Sequence, residues 1–253
     1  MWIIKYRDLI WNLTITDLKI KYQSSALGFA WSLLNPLLMM LVLYFVFVNM
    51  FRFNQDNFAL YILVGLITWR FLANGTSIAM SSIVGRSSLV TKIYIPRQIL
   101  VLSTTLSCFI SSLLEFCVLI PLLFVFGVKI TPYILFFPIV HGIFFFIVYG
   151  ISLMIAALYV YYRDLNQIWD VLIQLGFFLS PICYPLSVIP VKYLSYYLLN
   201  PVTVLMEMYR NFLLYGIAPA PLSTLYIVIV GIVLMFAGMA VFKRLERRFA
   251  EEI

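Results

Sequence analysis

Apolar residues fill this chain in long blocks, and charged residues mark the boundaries between them. No charge falls between Lys21 and Arg52, between Lys129 and Arg163, or between Arg210 and Lys243. The intervals Asp56 to Arg86, Arg97 to Lys129 and Asp164 to Lys192 hold one charge each: Arg70, Glu115 and Asp170. Each block exceeds the roughly 20 residues that an α-helix needs to cross about 30 Å of hydrocarbon. The blocks are continuous and do not alternate with period two, which favours helices over a transmembrane barrel. The pattern predicts an all-α integral membrane protein with six spans, near 30–51, 58–82, 99–126, 136–160, 166–185 and 222–242.

The segments between spans carry patterns of their own. Residues 1–28 hold Trp2, Ile3, Tyr6, Ile10 and Leu13 at helical spacing among Lys5, Arg7, Asp17, Lys19 and Lys21. This predicts an amphipathic interfacial helix lying in a headgroup plane, with a break near Thr14–Thr16 where the period slips. Asn35-Pro36 sits too far into the first block to start a spanning helix, so the helix is expected to begin near Gly28 and kink at Pro36. Residues 83–97 should form a short basic helix stopped by Pro96. Residues 186–221 stay apolar but are cut at Asn200-Pro201, a helix-starting pair. Two pieces of half a crossing each predict a re-entrant hairpin before the last span, tolerated only where it is buried in protein or lines water.

Composition agrees with this reading. Apolar residues make up 64% of 253 residues and charged residues 11%, against roughly 45–50% and 25% in soluble domains. Mean hydropathy is +1.04. A soluble particle and a disordered chain are both excluded. The net charge of +7 is distributed by topology. Lys5, Arg7, Lys19, Lys21, Arg86, Lys92, Arg97, Arg163, Lys243, Arg244, Arg247 and Arg248 fall on one side. Arg52, Lys129, Lys192 and Arg210 fall on the other. That bias places both termini in the cytoplasm, so the charge reads as a signal for anionic lipid and not for nucleic acid. The tail from Lys243 is expected to be short and frayed.

Little in the chain suggests catalysis. There is no GxxxxGK[ST], HExxH or GxSxG motif, so neither a nucleotide site of its own nor an enzyme is expected. Cys108, Cys117 and Cys183 read as buried free thiols without a metal. His141, the single histidine, reads as a packed or snorkelling group. Arg70, Glu115 and Asp170 are the intramembrane charges, and such groups are functional candidates because burying them is costly. Arg70 and Glu115, on adjacent spans, could pair. Tyrosines cluster at Tyr159, Tyr161 and Tyr162 and again at Tyr184, Tyr193, Tyr196 and Tyr197. They suit either an aromatic belt or contact with sugar rings.

Four spaced blocks carry a resemblance. Residues 17–36 (DLKIKYQSSALGFAWSLLNP), Lys92–Arg97, Tyr162–Leu165, and Ser180–Pro185 followed by Asn200-Pro201 resemble the ABC type 2 permeases that export polysaccharides. These are the O-antigen (Wzm-like), capsule and teichoic-acid exporters. Ile20 stands where such proteins mostly have Arg or Lys. The resemblance implies a single permease domain over 1–253, working as a homodimer in the bacterial inner membrane. Two separate nucleotide-binding ATPase subunits would hold the ATP and Mg, with no cofactor on this chain. The substrate would be a lipid-linked polysaccharide, O-antigen-like, or else another lipid-linked glycan. It also implies that residues 83–97 couple to the ATPase, through Arg86, Lys92, Tyr94, Pro96 and Arg97, with Arg163 and Asp164 as a second contact. Lys19 and Lys21 would hold the lipid pyrophosphate. Tyr159, Tyr184, Asn200 and Pro201 would belong to the channel and its outer gate, built by 186–221. A self-contained secondary transporter is the less favoured alternative, for want of an internal repeat.

Overall fold

A computed structural model describes residues 2–23, 28, 30–50, 56–92 and 95–249, except the side chains of residues 2, 3, 22 and 90–92. Tyr94, the side chain of Lys92 and the end of the predicted tail thus lie outside the described residues.

The described residues are mostly helical, with no strand among them. In order the helices are α1 (Trp2–Lys5), α2 (Arg7–Gln23), α3 (Ala30–Phe45), α4 (Phe58–Met80), α5 (Ser87–Lys92), α6 (Gln98–Val125), α7 (Phe137–Tyr161), α8 (Leu165–Leu179), α9 (Val191–Leu198), α10 (Pro201–Arg210) and α11 (Pro221–Leu245). Among the described residues, five helical stretches are long and apolar enough to cross a membrane: Ala30–Met50, Phe58–Met80, Gln98–Val125, Pro132–Tyr161 and Pro221–Arg248. The stretch predicted as a fifth span is shorter. α8 has 15 residues, about 22 Å at 1.5 Å per residue, and the chain then turns inward through buried Ser180–Cys183.

α4 is the axis of the bundle. Eighteen of its 23 residues are buried, because α3, α6, α7, α8 and α10 all pack against it. α7 and α11 form the tightest pair. A Cβ on Gly238 would sit 2.3 Å from the Gly150 carbonyl oxygen, and one on Gly150 would sit 2.5 Å from the Leu234 backbone. Two glycines thus let the backbones touch, as small residues do in membrane helix pairs. α3 and α8 lie at the periphery, and α8 has no buried residue.

The N-terminal region differs from expectation in one respect. α2 runs unbroken through Thr14–Thr16, and the interruption falls at Tyr6. The Thr14 and Thr16 hydroxyls donate to the carbonyls of Ile10 (2.8 Å) and Asn12 (2.7 Å), four residues back. Such bonds keep these β-branched residues within a helix. α2 also packs against α6, where fully buried Thr14 reaches the Ser103 carbonyl at 3.3 Å. The cysteines differ as well: Cys108 and Cys183 are buried, but Cys117 is exposed. It lines an apolar crevice with Phe116, Ile120 and Leu135, a surface suited to lipid.

Candidate functional site

At the end of the bundle that holds α2, three chain segments converge. Val84–Arg86 forms a 3-10 turn, α5 follows, and Ile95–Pro96 leaves the helix before α6 begins. Arg86 pairs with Asp17 of α2 and donates to the Thr104 hydroxyl of α6 at 3.1 Å. Arg97 donates to the Glu246 carbonyl, and its guanidinium lies 5.7 Å from the Phe249 ring centroid. The tail is therefore docked, at least as far as Phe249. Phe249 is fully buried against Phe242 and Tyr161, and the Tyr161 hydroxyl donates to the Leu245 carbonyl at 2.7 Å. Apolar burial of one aromatic ring outweighs the solvation of the neighbouring charges.

The other residues predicted for this end are spread out. Arg163 is exposed, with its guanidinium 5.5 Å from the Tyr159 ring centroid. Asp164 is exposed and caps α8 without a side-chain hydrogen bond. Lys19 and Lys21 are exposed on α2, and Lys21 Nζ reaches Ser111 Oγ at 3.4 Å.

The intramembrane charges divide in two. Arg70 and Glu115 form a pair at 3.4 Å, and Arg70 also donates to Asn35 Oδ1 of α3 at 2.6 Å. Arg70 thus fastens peripheral α3 to α4 and α6. Asp170, in contrast, is exposed on α8. It falls in line with exposed Gln167 and Gln174, one residue per turn. Ile168, Leu172, Leu175 and Leu179 occupy a neighbouring exposed face. The inner side of α8 is set by Trp169, whose indole donates to Thr76 at 2.9 Å. Gly176 completes it, where a Cβ would meet Trp69 at 2.6 Å. α8 therefore presents a polar stripe outward from the bundle.

At the opposite end lie α9 and α10, the segment expected to form the hairpin. α9 has no buried residue, whereas eight of the ten residues of α10 are buried. Asn200 caps α10, accepting from Val202 N at 3.0 Å, and its amide reaches Ser180 Oγ at 3.3 Å. Pro201 occupies the first turn, where its missing N–H leaves nothing unpaired. Tyr184 donates to the Phe178 carbonyl at 2.8 Å and lies 3.3 Å from the Tyr197 hydroxyl. With Tyr193 and Tyr196 they line a cavity of about 670 Å³.

Sequence reasoning missed the anchor of this hairpin. Arg210, read as a charge in an outer loop, is fully buried. It donates to the Tyr61 hydroxyl (2.7 Å), to Glu207 (2.8 Å) and to the carbonyls of Pro181 (2.7 Å) and Ile182 (3.2 Å). Its guanidinium also stands 3.4 Å from the Tyr61 ring centroid. Gly65 makes room, since a Cβ there would approach Arg210 Nη2 to 2.9 Å. The available signal was Glu207 three residues before Arg210 in an otherwise apolar run. His141 was also placed loosely: it is fully buried, 2.8 Å from the Tyr209 hydroxyl and 3.3 Å from the Ser112 hydroxyl. That is a packed structural position.

Comparison with known proteins fits this arrangement. The model of the ABC-2 type transporter family matches residues 8–214. An O-antigen export system permease protein, RfbA, of Myxococcus xanthus is 32% identical over 255 residues, covering 98% of this chain and 96% of that protein. An RfbA of Klebsiella pneumoniae is 30% identical over 246 residues, covering 96% and 94%. The polysialic acid transport protein KpsM of Escherichia coli is 22% identical over 242 residues, covering 92% of each. With five apolar spanning helices and a family match over most of its length, the chain is a multi-pass membrane protein belonging to the ABC-2 type transporter family.

Proposed function

We propose that this chain is the permease subunit of an ABC exporter that carries a lipid-linked polysaccharide outward across a bacterial inner membrane. Relatives named for O-antigen export, similar along nearly the whole chain, favour an O-antigen-like glycan over a capsular one. In this reading two copies work together, each bound to an ATPase subunit that holds ATP and Mg. Residues 83–97 face that ATPase, and both termini lie in the cytoplasm. α8 and the inward-turning Ser180–Pro185 together make the sixth crossing. The 186–221 hairpin enters from the outer side, with α9 and the tyrosines Tyr184 and Tyr197 at the exit. Lys19 and Lys21 meet the lipid pyrophosphate at the inner leaflet.

The observation that carries this reading is the stripe Gln167, Asp170 and Gln174. A carboxylate turned toward lipid tails is costly, up to about 2.5–3.5 kcal/mol at the middle of a span, and Asp170 lies in the second turn of α8. This face therefore calls for water or protein against it, and among the described residues of one copy it is exposed. A hydrated path between two copies satisfies it, with the neighbouring apolar face of α8 turned away from the water.

Single cysteines separate this from a lipid-facing helix. Asp170→Cys and Gln174→Cys, in membranes containing the assembled transporter, are expected to react with a water-soluble thiol reagent, while Leu172→Cys and Leu175→Cys stay protected. Lys192→Cys should label from outside and Ser88→Cys from inside. Equal protection of all four α8 positions would remove the hydrated path.

A further inference from the structure

We propose that Asp17 is a positioning residue for transport, tying α2 to the 84–86 turn so that the N-terminal helix and the coupling segment move as one body. The inference rests on the reading of residues 83–97 as the segment the ATPase displaces. It concerns where that displacement goes next.

Three side chains from three elements make the tie. Asp17 lies two-thirds of the way along α2, Arg86 ends the 3-10 turn, and Thr104 sits in the second turn of α6. Arg86 bridges the other two: one guanidinium nitrogen donates to Asp17 Oδ1, and the other donates to Thr104 Oγ1 at 3.1 Å. Thr104 Oγ1 is 3.2 Å from Asp17 Oδ2, which closes the triangle. The two charged side chains are only 15% and 21% exposed, so water screens the pair weakly. Alongside it runs a cleft of about 330 Å³ between α2 and the end of α4, lined by Ile20, Lys21, Ile78, Ser82 and Gly85. Where apolar packing would otherwise hold α2 against this turn there is open space. The ion pair spans it.

The consequence is directional. α2, the helix assigned above to the headgroup plane, is exposed along its outer face at Asn12, Thr16 and Lys19. A displacement of the 84–86 turn reaches that face through Asp17 without passing through a spanning helix. Asp17 thus links ATP-driven motion to the helix that meets the lipid end of the substrate. A carboxylate is required, because an amide cannot neutralise the guanidinium it would leave half buried.

The test uses the permease with its ATPase partner in proteoliposomes supplied with lipid-linked glycan. The background carries Cys108→Ser, since Cys108 lines the same cleft. Asp17→Asn is expected to keep ATP turnover and lose export, and Asp17→Arg with Arg86→Asp to regain part of it. In the pair Asp17→Cys with Arg86→Cys, export should be low, rise when a reversible bifunctional thiol reagent bridges the two positions, and fall again on reduction. Two results overturn the proposal: normal export by Asp17→Asn, or no export from the bridged pair. Absence of export from the parent complex itself would instead overturn the transport reading.

Discussion

Replacing Arg210 with glutamine releases the hairpin from the bundle and gives the largest loss of stability expected for any single change in this chain. The side chain holds α10 to α4 through Tyr61 and to the segment after α8 through the Pro181 and Ile182 carbonyls. Removing it leaves Glu207 without its cation and at least two buried acceptors unpaired. Breaking one partner of a buried ion pair costs on the order of 3–5 kcal/mol, and each orphaned acceptor adds roughly 1–3 kcal/mol. Arg210→Lys should recover only a fraction, because an ammonium cannot fork between the phenol, the carboxylate and two carbonyls. Thermal unfolding of the purified permease checks both variants. Vesicles holding Arg210→Gln should also leak small ions at rest. An Arg210→Gln protein as stable and as ion-tight as the parent would show that the hairpin is held elsewhere.

Arg97→Glu abolishes export while leaving the protein inserted in the membrane. The arginine donates to the Glu246 carbonyl and covers Phe249, so it joins the start of α6 to the tail of α11. A glutamate there faces a carbonyl oxygen and a ring face, both negative, and drives the tail off. In the proposed coupling, residues 83–97 then move without pulling the tightly packed α7–α11 pair. ATP turnover by the partner continues, and a C-terminal tag becomes open to protease. Phe249→Ala should reproduce the protease sensitivity with a smaller loss of export, since the hydrogen bond from Arg97 survives. Normal export by Arg97→Glu, measured with ATPase activity in one reconstituted complex, would move coupling to α2 or to Arg163–Asp164.

These expectations indicate where the sequence is readable and where it is not. Five of the six expected spans were legible because bilayer thickness fixes a minimum length of uncharged helix and charges must sit at its ends. The stop at Pro96 and the Asn200-Pro201 break were legible because proline constrains backbone locally. Arg210 was not, because a charge between apolar blocks looks the same whether it lies in solvent or folds back onto carbonyls. Only the neighbouring turn, Pro181–Ile182, nearly thirty residues earlier, tells the two apart. Phe249 was hidden by Arg247 and Arg248 for a similar reason. The shortness of α8 could be suspected from Ser180-Pro181, but not the burial of the residues after it. Its polar stripe is written in Gln167, Asp170 and Gln174, and shows only when the three are taken together, since Asp170 alone reads as an isolated charge.

In the proposed function this chain forms a path for a lipid-linked polysaccharide, driven by ATP hydrolysis on a partner. Proteoliposomes holding the purified permease and its ATPase, loaded with a labelled lipid-linked O-antigen-like glycan, test it directly. Accessibility of the glycan to a glycan-cleaving enzyme on the far side of the membrane should rise only when ATP is present, and should stay at background with the permease alone. Glycan that crosses equally well without ATP or without the ATPase would contradict the account.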